Sequence, residues 1–240
     1  MNSSPIAVLV TGDPVPATRA RRGGFLELIR SAAPEFAAFP WQAHDVRERD
    51  VRAELTEAWA VIVTGSPLSV IDRLPWMERA SERLRELVRA EVPVLGICFG
   101  HQLLGHALGG RVALNPRGRE MGTVGFSNSV SDPVLGQPGT WSVNVTHLDS
   151  VVQLPPGAEV LGATELEPYA AVRFGRRAWG VQFHPEIDGA VMREYIAARR
   201  DTLVSEGFDV AAMESAATDA PHAQALIGRF LRVAASLSGA

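Results

Sequence analysis

Residues 92–104 read Val-Pro-Val-Leu-Gly-Ile-Cys-Phe-Gly-His-Gln-Leu-Leu, a short apolar run that ends at the lone cysteine, Cys98, and passes without a linker into helical spacing. A buried strand that delivers a nucleophile to a sharp turn, with a helix N-terminus just beyond, has this form. Gly96 and Gly100 flank the turn and remove side chains where strand and helix would collide. The helix N-terminus favours negative charge and so helps to stabilise a thiolate at Cys98. The amide of Phe99, next to the nucleophile, is placed to donate to an oxyanion.

The segments before this turn alternate in period. Residues 6–10 and 59–63 are β-branched apolar runs, each closed by turn chemistry (Thr11-Gly12-Asp13-Pro14 and Thr64-Gly65-Ser66-Pro67). Residues 36–44 suggest a weaker strand with Pro40 inside it, hence an edge position or a break. Helical faces are expected from Phe25 to Ile29, over residues 51–56 and over residues 76–90, with a loop at 69–75. The basic stretch 19–24 reads as a flexible loop, either solvated or facing an anionic ligand or partner. Leu103, Leu104, Ala107 and Leu108 give the helix after Cys98 its core face, and Gly109-Gly110 stops it. Strand, helix, strand, helix, strand, helix in this order argues an open α/β sheet with parallel strands, and places Cys98 at the carboxyl end of one of them, where ligands bind.

From Arg111 the rhythm changes to short strands between turns, at 111–114, 123–126, 141–145, 160–161, 170–174 and 178–183, which suggests antiparallel hairpins added to the sheet. The last of them ends at Phe183-His184-Pro185-Glu186. A cysteine nucleophile needs a base, and the base needs an orienting group; Cys98, His184 and Glu186 supply the three roles if this strand returns to the centre of the sheet. The fold expected is a flavodoxin-like open mixed sheet with helices on both faces. Residues 190–204 and 221–237 read as helices, with Gly207 between them. The whole chain, 1–240, reads as a single domain with a helical extension from about residue 201.

Gly96-Ile97-Cys98-Phe99-Gly100-His101-Gln102 followed by His184-Pro185-Glu186 resembles the class I (triad) glutamine amidotransferase family, over roughly residues 5–200. Thr146-His147-Leu148-Asp149-Ser150-Val151 with Leu154-Pro155-Pro156-Gly157 resembles a run in the amidotransferase part of GMP synthase and its relatives. The resemblance implies hydrolysis of the glutamine side-chain amide through a Cys98 thioester, with the backbone amide of Gly65 as the second oxyanion donor and Gln102 in substrate binding. It implies glutamine or a γ-glutamyl compound as substrate and a synthase partner subunit as acceptor of the ammonia. A stand-alone γ-glutamyl hydrolase would use the same triad, and a non-catalytic regulatory protein of the same fold would be expected to have lost it. His147 and Asp149 read either as contacts near the mouth of the site or as a structural turn, and 117–120 as a solvated hairpin end or part of that mouth.

Composition narrows the chemistry further. All 23 basic residues are arginine, which excludes a Walker, Schiff-base or pyridoxal-phosphate lysine within the chain. One cysteine excludes an internal disulfide and a multi-cysteine metal site. His101 and His106 lie five positions apart and do not share a helix face well, so no metal and no cofactor are expected. The net charge of −4 carries no nucleic-acid footprint, and no apolar stretch approaches a membrane span. A cytoplasmic protein is the default expectation; the oligomeric state is open.

Overall fold

The computed structural model describes residues 4–51, 55 and 57–238. Nine strands of the described residues form one mixed sheet: β1 (Ile6–Val10), β2 (Trp41–Asp45), β3 (Ala60–Val63), β4 (Val94–Ile97), β6 (Glu120–Asn128), β7 (Gly139–His147), β9 (Glu159–Thr164), β10 (Ala171–Gly175) and β11 (Ala178–Val181). Two more, β5 (Arg111–Leu114) and β8 (Asp149–Gln153), pair apart from it. The order across the main sheet is β2-β1-β3-β4-β11-β10-β9-β6-β7. Pairs from β2 to β11 are parallel, and those from β11 to β7 antiparallel. β11 pairs with β4 in parallel, Val181 opposite Ile97, so the antiparallel arm does return its last strand to the centre.

Strand alternation builds two cores. In β1, Ile6 and Val8 face one buried cluster while Ala7 and Leu9 face the other; in β3, Ala60 and Ile62 separate from Val61 and Val63 in the same way. The helices are α1 (Pro16–Arg22), α2 (Phe25–Ser31), α3 (Pro75–Arg89), α4 (Phe99–Ala107), α5 (Gly189–Ala198), α6 (Arg200–Ser205), α7 (Val210–Ala216) and α8 (Pro221–Ser238). α3 and α4 cover one face with Met77, Leu84, Leu103 and Leu104. α2 and α8 cover the other, where Leu226, Ile227 and Phe230 join Phe25 and Ile29. α5 to α7 close a third cluster against Met121 of β6. No described helix is long and apolar enough to cross a membrane.

Several local expectations are corrected. The strand expected over 36–44 begins only at Trp41, because Pro40 donates nothing to a ladder; its carbonyl instead accepts from Ile6 N at 2.9 Å, and β2 is an edge strand. Residues 19–22 are helix rather than flexible loop. Pro16 starts that turn, Arg19 and Arg22 pair with Asp13 at 2.8 Å and Asp188 at 3.1 Å, and Gly23 ends it at φ 86°. Within the loop at 69–75, Val70–Asp72 is a 3-10 turn capped by Ser69. β5 belongs to the side pair, not to the main sheet. The helix expected over 190–204 is two, divided at Arg199, and α7 and β8 were not expected at all. The helix expected over 51–56 depends on residues 52–54 and 56, which lie outside those described.

Candidate active site

Cys98 lies between β4 and α4 with φ 50° and ψ −102°, a conformation that L-residues avoid unless their surroundings impose it. Those surroundings are backbone. A Cβ on Gly96 would meet Gly100 O at 2.5 Å, and one on Gly100 would meet Val63 O at 2.4 Å, so only glycine lets α4 start this close to the sheet. Cys98 N donates to Val181 O at 2.8 Å, tying the turn to β11. Phe99 is the first residue of α4, so its amide has no helical carbonyl to bond.

The chain leaving β11 turns at once but stays buried, with Gln182, His184 and Glu186 all buried polar residues. His184 N donates to Asn144 O of β7 at 2.8 Å. Asn144 is itself fixed, donating to Ile187 O at 2.8 Å and accepting from Thr123 Oγ1 at 2.7 Å. His184 Nδ1 donates to Glu186 Oε1 at 2.7 Å. Burial opposes charge on this imidazole, but Glu186 and then Cys98 outweigh it and push its pKa up to about 10. Both neighbours thus favour the imidazolium form of His184. Its Nε2 has no hydrogen-bond partner among the described residues, and Cys98 shares a cavity wall with it.

Gly65 backs onto this imidazole, since a Cβ there would meet His184 Cε1 at 3.0 Å. Its peptide is held in place by Thr11, whose hydroxyl donates to Thr64 O and Gly65 O, both at 3.0 Å. Gln102, expected to bind substrate, is buried and already occupied. Its Nε2 donates to Asp149 O at 2.9 Å and to Gln182 Oε1 at 3.1 Å. Because Gln182 Oε1 accepts there, its Nε2 is the end turned to the sulfur, 3.5 Å from Cys98 Sγ. The sequence reading missed Gln182, although its position two residues before His184 was the available signal.

His147 belongs to a buried polar cluster to which half-buried Asp149 gives only its backbone carbonyl, and both residues also line the larger cavity at Cys98. His147 Nδ1 faces Asp149 O and Nε2 faces Glu120 Oε2, each at 3.1 Å, and Thr164 donates to the same carboxylate oxygen at 2.9 Å. Glu120 is thus buried rather than part of a solvated hairpin end, whereas Arg119 does reach the mouth of the site. His101 is fully buried against Phe174 and Gly180; burial, then His147, push its pKa down to about 3, so it is neutral and structural. Among the described residues no group of three or more His, Cys, Asp or Glu is gathered to hold a metal.

Two cavities open at Cys98. One, of about 220 Å³, includes Phe25, His184, Tyr195 and Arg199; the other, of about 500 Å³, runs past Ile71, Leu114, Arg119 and Leu148. A third, at Arg22, Pro185, Glu186 and Asp188, does not include Cys98. A nucleophile held at a strained turn, an imidazolium paired with a carboxylate and two clefts meeting at the sulfur can together support acyl transfer through a thioester.

The family model for class-I glutamine amidotransferases matches residues 26–200. The GMP synthase [glutamine-hydrolyzing] of Porphyromonas gingivalis strain W83 is 39% identical over 137 residues, which is 56% of this chain and 26% of that protein. The enzyme of the same name from Leifsonia xyli is 38% identical over 152 residues, 60% of this chain and 28% of that one. The chain thus spans about a quarter of the length of these curated relatives. A Thermotoga maritima glutamine amidotransferase superposes with a TM-score of 0.77 at 21% identity, over 95% of this chain and 97% of that one. A glutamine amidotransferase of Methylobacillus flagellatus gives 0.74 at 22% identity, over 95% and 94%. At these identities the two structures speak to the fold alone.

Proposed function

The chain belongs to the class-I glutamine amidotransferase family, and from that premise we propose that it hydrolyses the glutamine side-chain amide through a Cys98 thioester and passes the ammonia to a GMP synthase-like acceptor. The observation that carries this reading is that Cys98, on its strained turn, and the buried His184–Glu186 pair meet on the wall of one cleft. The Cys98 thiolate attacks the amide carbon, and the amides of Phe99 and Gly65 stabilise the oxyanion. Imidazolium His184 protonates the departing ammonia. Thioester formation removes the charge from Cys98, and with it one of the causes that keep His184 protonated. His184 can then take a proton from water as the thioester hydrolyses to glutamate, while Glu186 holds the ring.

A second reading, a stand-alone γ-glutamyl hydrolase, has one feature in its favour. The larger cavity continues from Cys98 past exposed Ile71, Leu114 and Leu148, a surface on which a leaving group bigger than ammonia can lie. The test is release of glutamate from free glutamine and from a γ-glutamyl dipeptide, assayed in parallel, with Cys98→Ser as control. Glutamine turnover that falls at least about a thousandfold in the variant is expected. Faster cleavage of the dipeptide moves the assignment to the hydrolase, and turnover unaffected by Cys98→Ser removes the thiol from the reaction.

A further inference from the structure

Arg199 ends α5 and lays its guanidinium over the Tyr195 ring, with Cζ 5.2 Å from the centroid. It is the one arginine on the walls of both cavities that open at Cys98, among the described residues. Its Nη1 is buried without a hydrogen-bond partner, and it forms no ion pair with a described residue. The arginines near it are committed. Arg119, on the larger cavity, donates to both oxygens of Glu206 at 2.7 and 3.0 Å. Asp13, the carboxylate on the wall of the smaller cavity, is taken by Arg19 at 2.8 Å and Arg47 at 3.3 Å, so it is not available to Arg199. Burial pulls the Arg199 pKa below its ordinary value, yet a guanidinium does not give up its proton at physiological pH. Of the groups that face it, Tyr195 and Cys98 favour its charge and Arg119 opposes it, yet none supplies an acceptor for the buried Nη1, which leaves a place for a carboxylate oxygen.

We infer that Arg199 binds the α-carboxylate of the substrate while the side-chain amide carbon lies at Cys98. This rests on the glutamine-amide reading above and deepens it. In glutamine the two carbons are about 5 Å apart, a span that fits within a cleft of about 220 Å³ bounded by both Cys98 and Arg199. The planar guanidinium suits a carboxylate, and its two oxygens can satisfy the orphaned Nη1. The consequence is selection for a free α-carboxylate: glutamine and γ-glutamyl compounds are accepted, and a glutamine within a peptide, whose carboxylate is tied up as an amide, is rejected.

The test measures binding rather than turnover, so that it is separate from the catalytic reading. Calorimetry on the Cys98→Ser protein compares glutamine with glutamine α-amide, and repeats both after adding Arg199→Gln or Arg199→Lys. Glutamine should bind about tenfold to a hundredfold more tightly than its α-amide. Arg199→Gln should abolish that preference and Arg199→Lys should keep part of it. Equal binding of the two ligands, a preference that survives Arg199→Gln, or no glutamine binding at all overturns the assignment. Alkylation of Cys98 by neutral iodoacetamide is the companion measurement. If Arg199→Gln slows it as much as it weakens glutamine binding, Arg199 acts on the thiolate and not on substrate. Failure of the catalytic reading shows up elsewhere, as absent turnover in the Cys98 enzyme that nonetheless binds glutamine with this preference.

Discussion

On the parallel side of the sheet the candidate catalytic groups are placed by backbone: Cys98 and Phe99 by the close approach of α4 to β3 and β4, Gly65 by its peptide beside Thr11. On the antiparallel side they are placed largely by side chains: the His184 ring by Glu186, with its backbone on the carbonyl of the fixed Asn144, and Gln182 beside Cys98 by Gln102. The first arrangement has no room for an added atom, and the second has no partner to spare. Its polar groups are buried, and removing one leaves another unsatisfied. The candidate nucleophile therefore sits on the half of the molecule least able to adjust, and the candidate acid-base group on the half held by polar side chains.

The contrast breaks first at Gly100. Gly100→Ala would put a methyl group 2.4 Å from Val63 O, against main chain that cannot move aside. Alanine's better helix propensity returns only about 1 kcal/mol, so a net loss of about 3 kcal/mol is expected in denaturant unfolding. A variant as stable as the parent would mean that the turn has slack. Next is Asn144→Ala, on the other half, which strips Ile187 O and the Thr123 hydroxyl of a buried partner. A loss of about 2 kcal/mol is expected. Asn144→Asp should lose a comparable amount, because it cannot donate to Ile187 O; full stability there would deny the donor role.

The smallest effect separates charge from geometry. Glu186→Gln keeps an acceptor for His184 Nδ1 and removes the carboxylate's charge. His184 has its pKa raised in the folded state to about 10, so its contribution to stability is fully present below about pH 6.5 and is lost as pH rises toward 10. The parent should lose stability across that window and Glu186→Gln should lose less of it, since Cys98 remains to favour the charged ring; the comparison is read as the change of Tm with pH. Parallel Tm curves for the two proteins would contradict a charged pair.

The same contrast explains what could be read from the chain beforehand. Cys98, Phe99, His184 and Glu186 stand at strand ends in short continuous motifs, so local order carries them. The continuous apolar runs of β1 and β3 likewise announce the parallel half. Gln182 lies inside one of those motifs, yet its amide is aimed by Gln102, which is distant in sequence. Residues 19–22 look like a loop because what makes them a helix end is remote: Asp188 with Arg22, and Glu194 with Thr18 and Arg21. Arg199 sits in a polar stretch between two helical turns and reads as a solvated charge until the cavity beside Tyr195 is seen. β8 hides because buried Ser150 and Val151 are adjacent, so Asp149–Gln153 lacks the alternation of a half-buried strand.

The most direct measurement is the state of Cys98 during turnover. The protein is mixed with glutamine and quenched in acid, and its peptides are examined by mass spectrometry. The account requires one γ-glutamyl group on the peptide carrying Cys98, absent in Cys98→Ser and accumulating in His184→Ala if hydrolysis of the thioester slows more than its formation. Glutamate production with no such adduct in either the parent or His184→Ala, or an adduct on another residue, would contradict it.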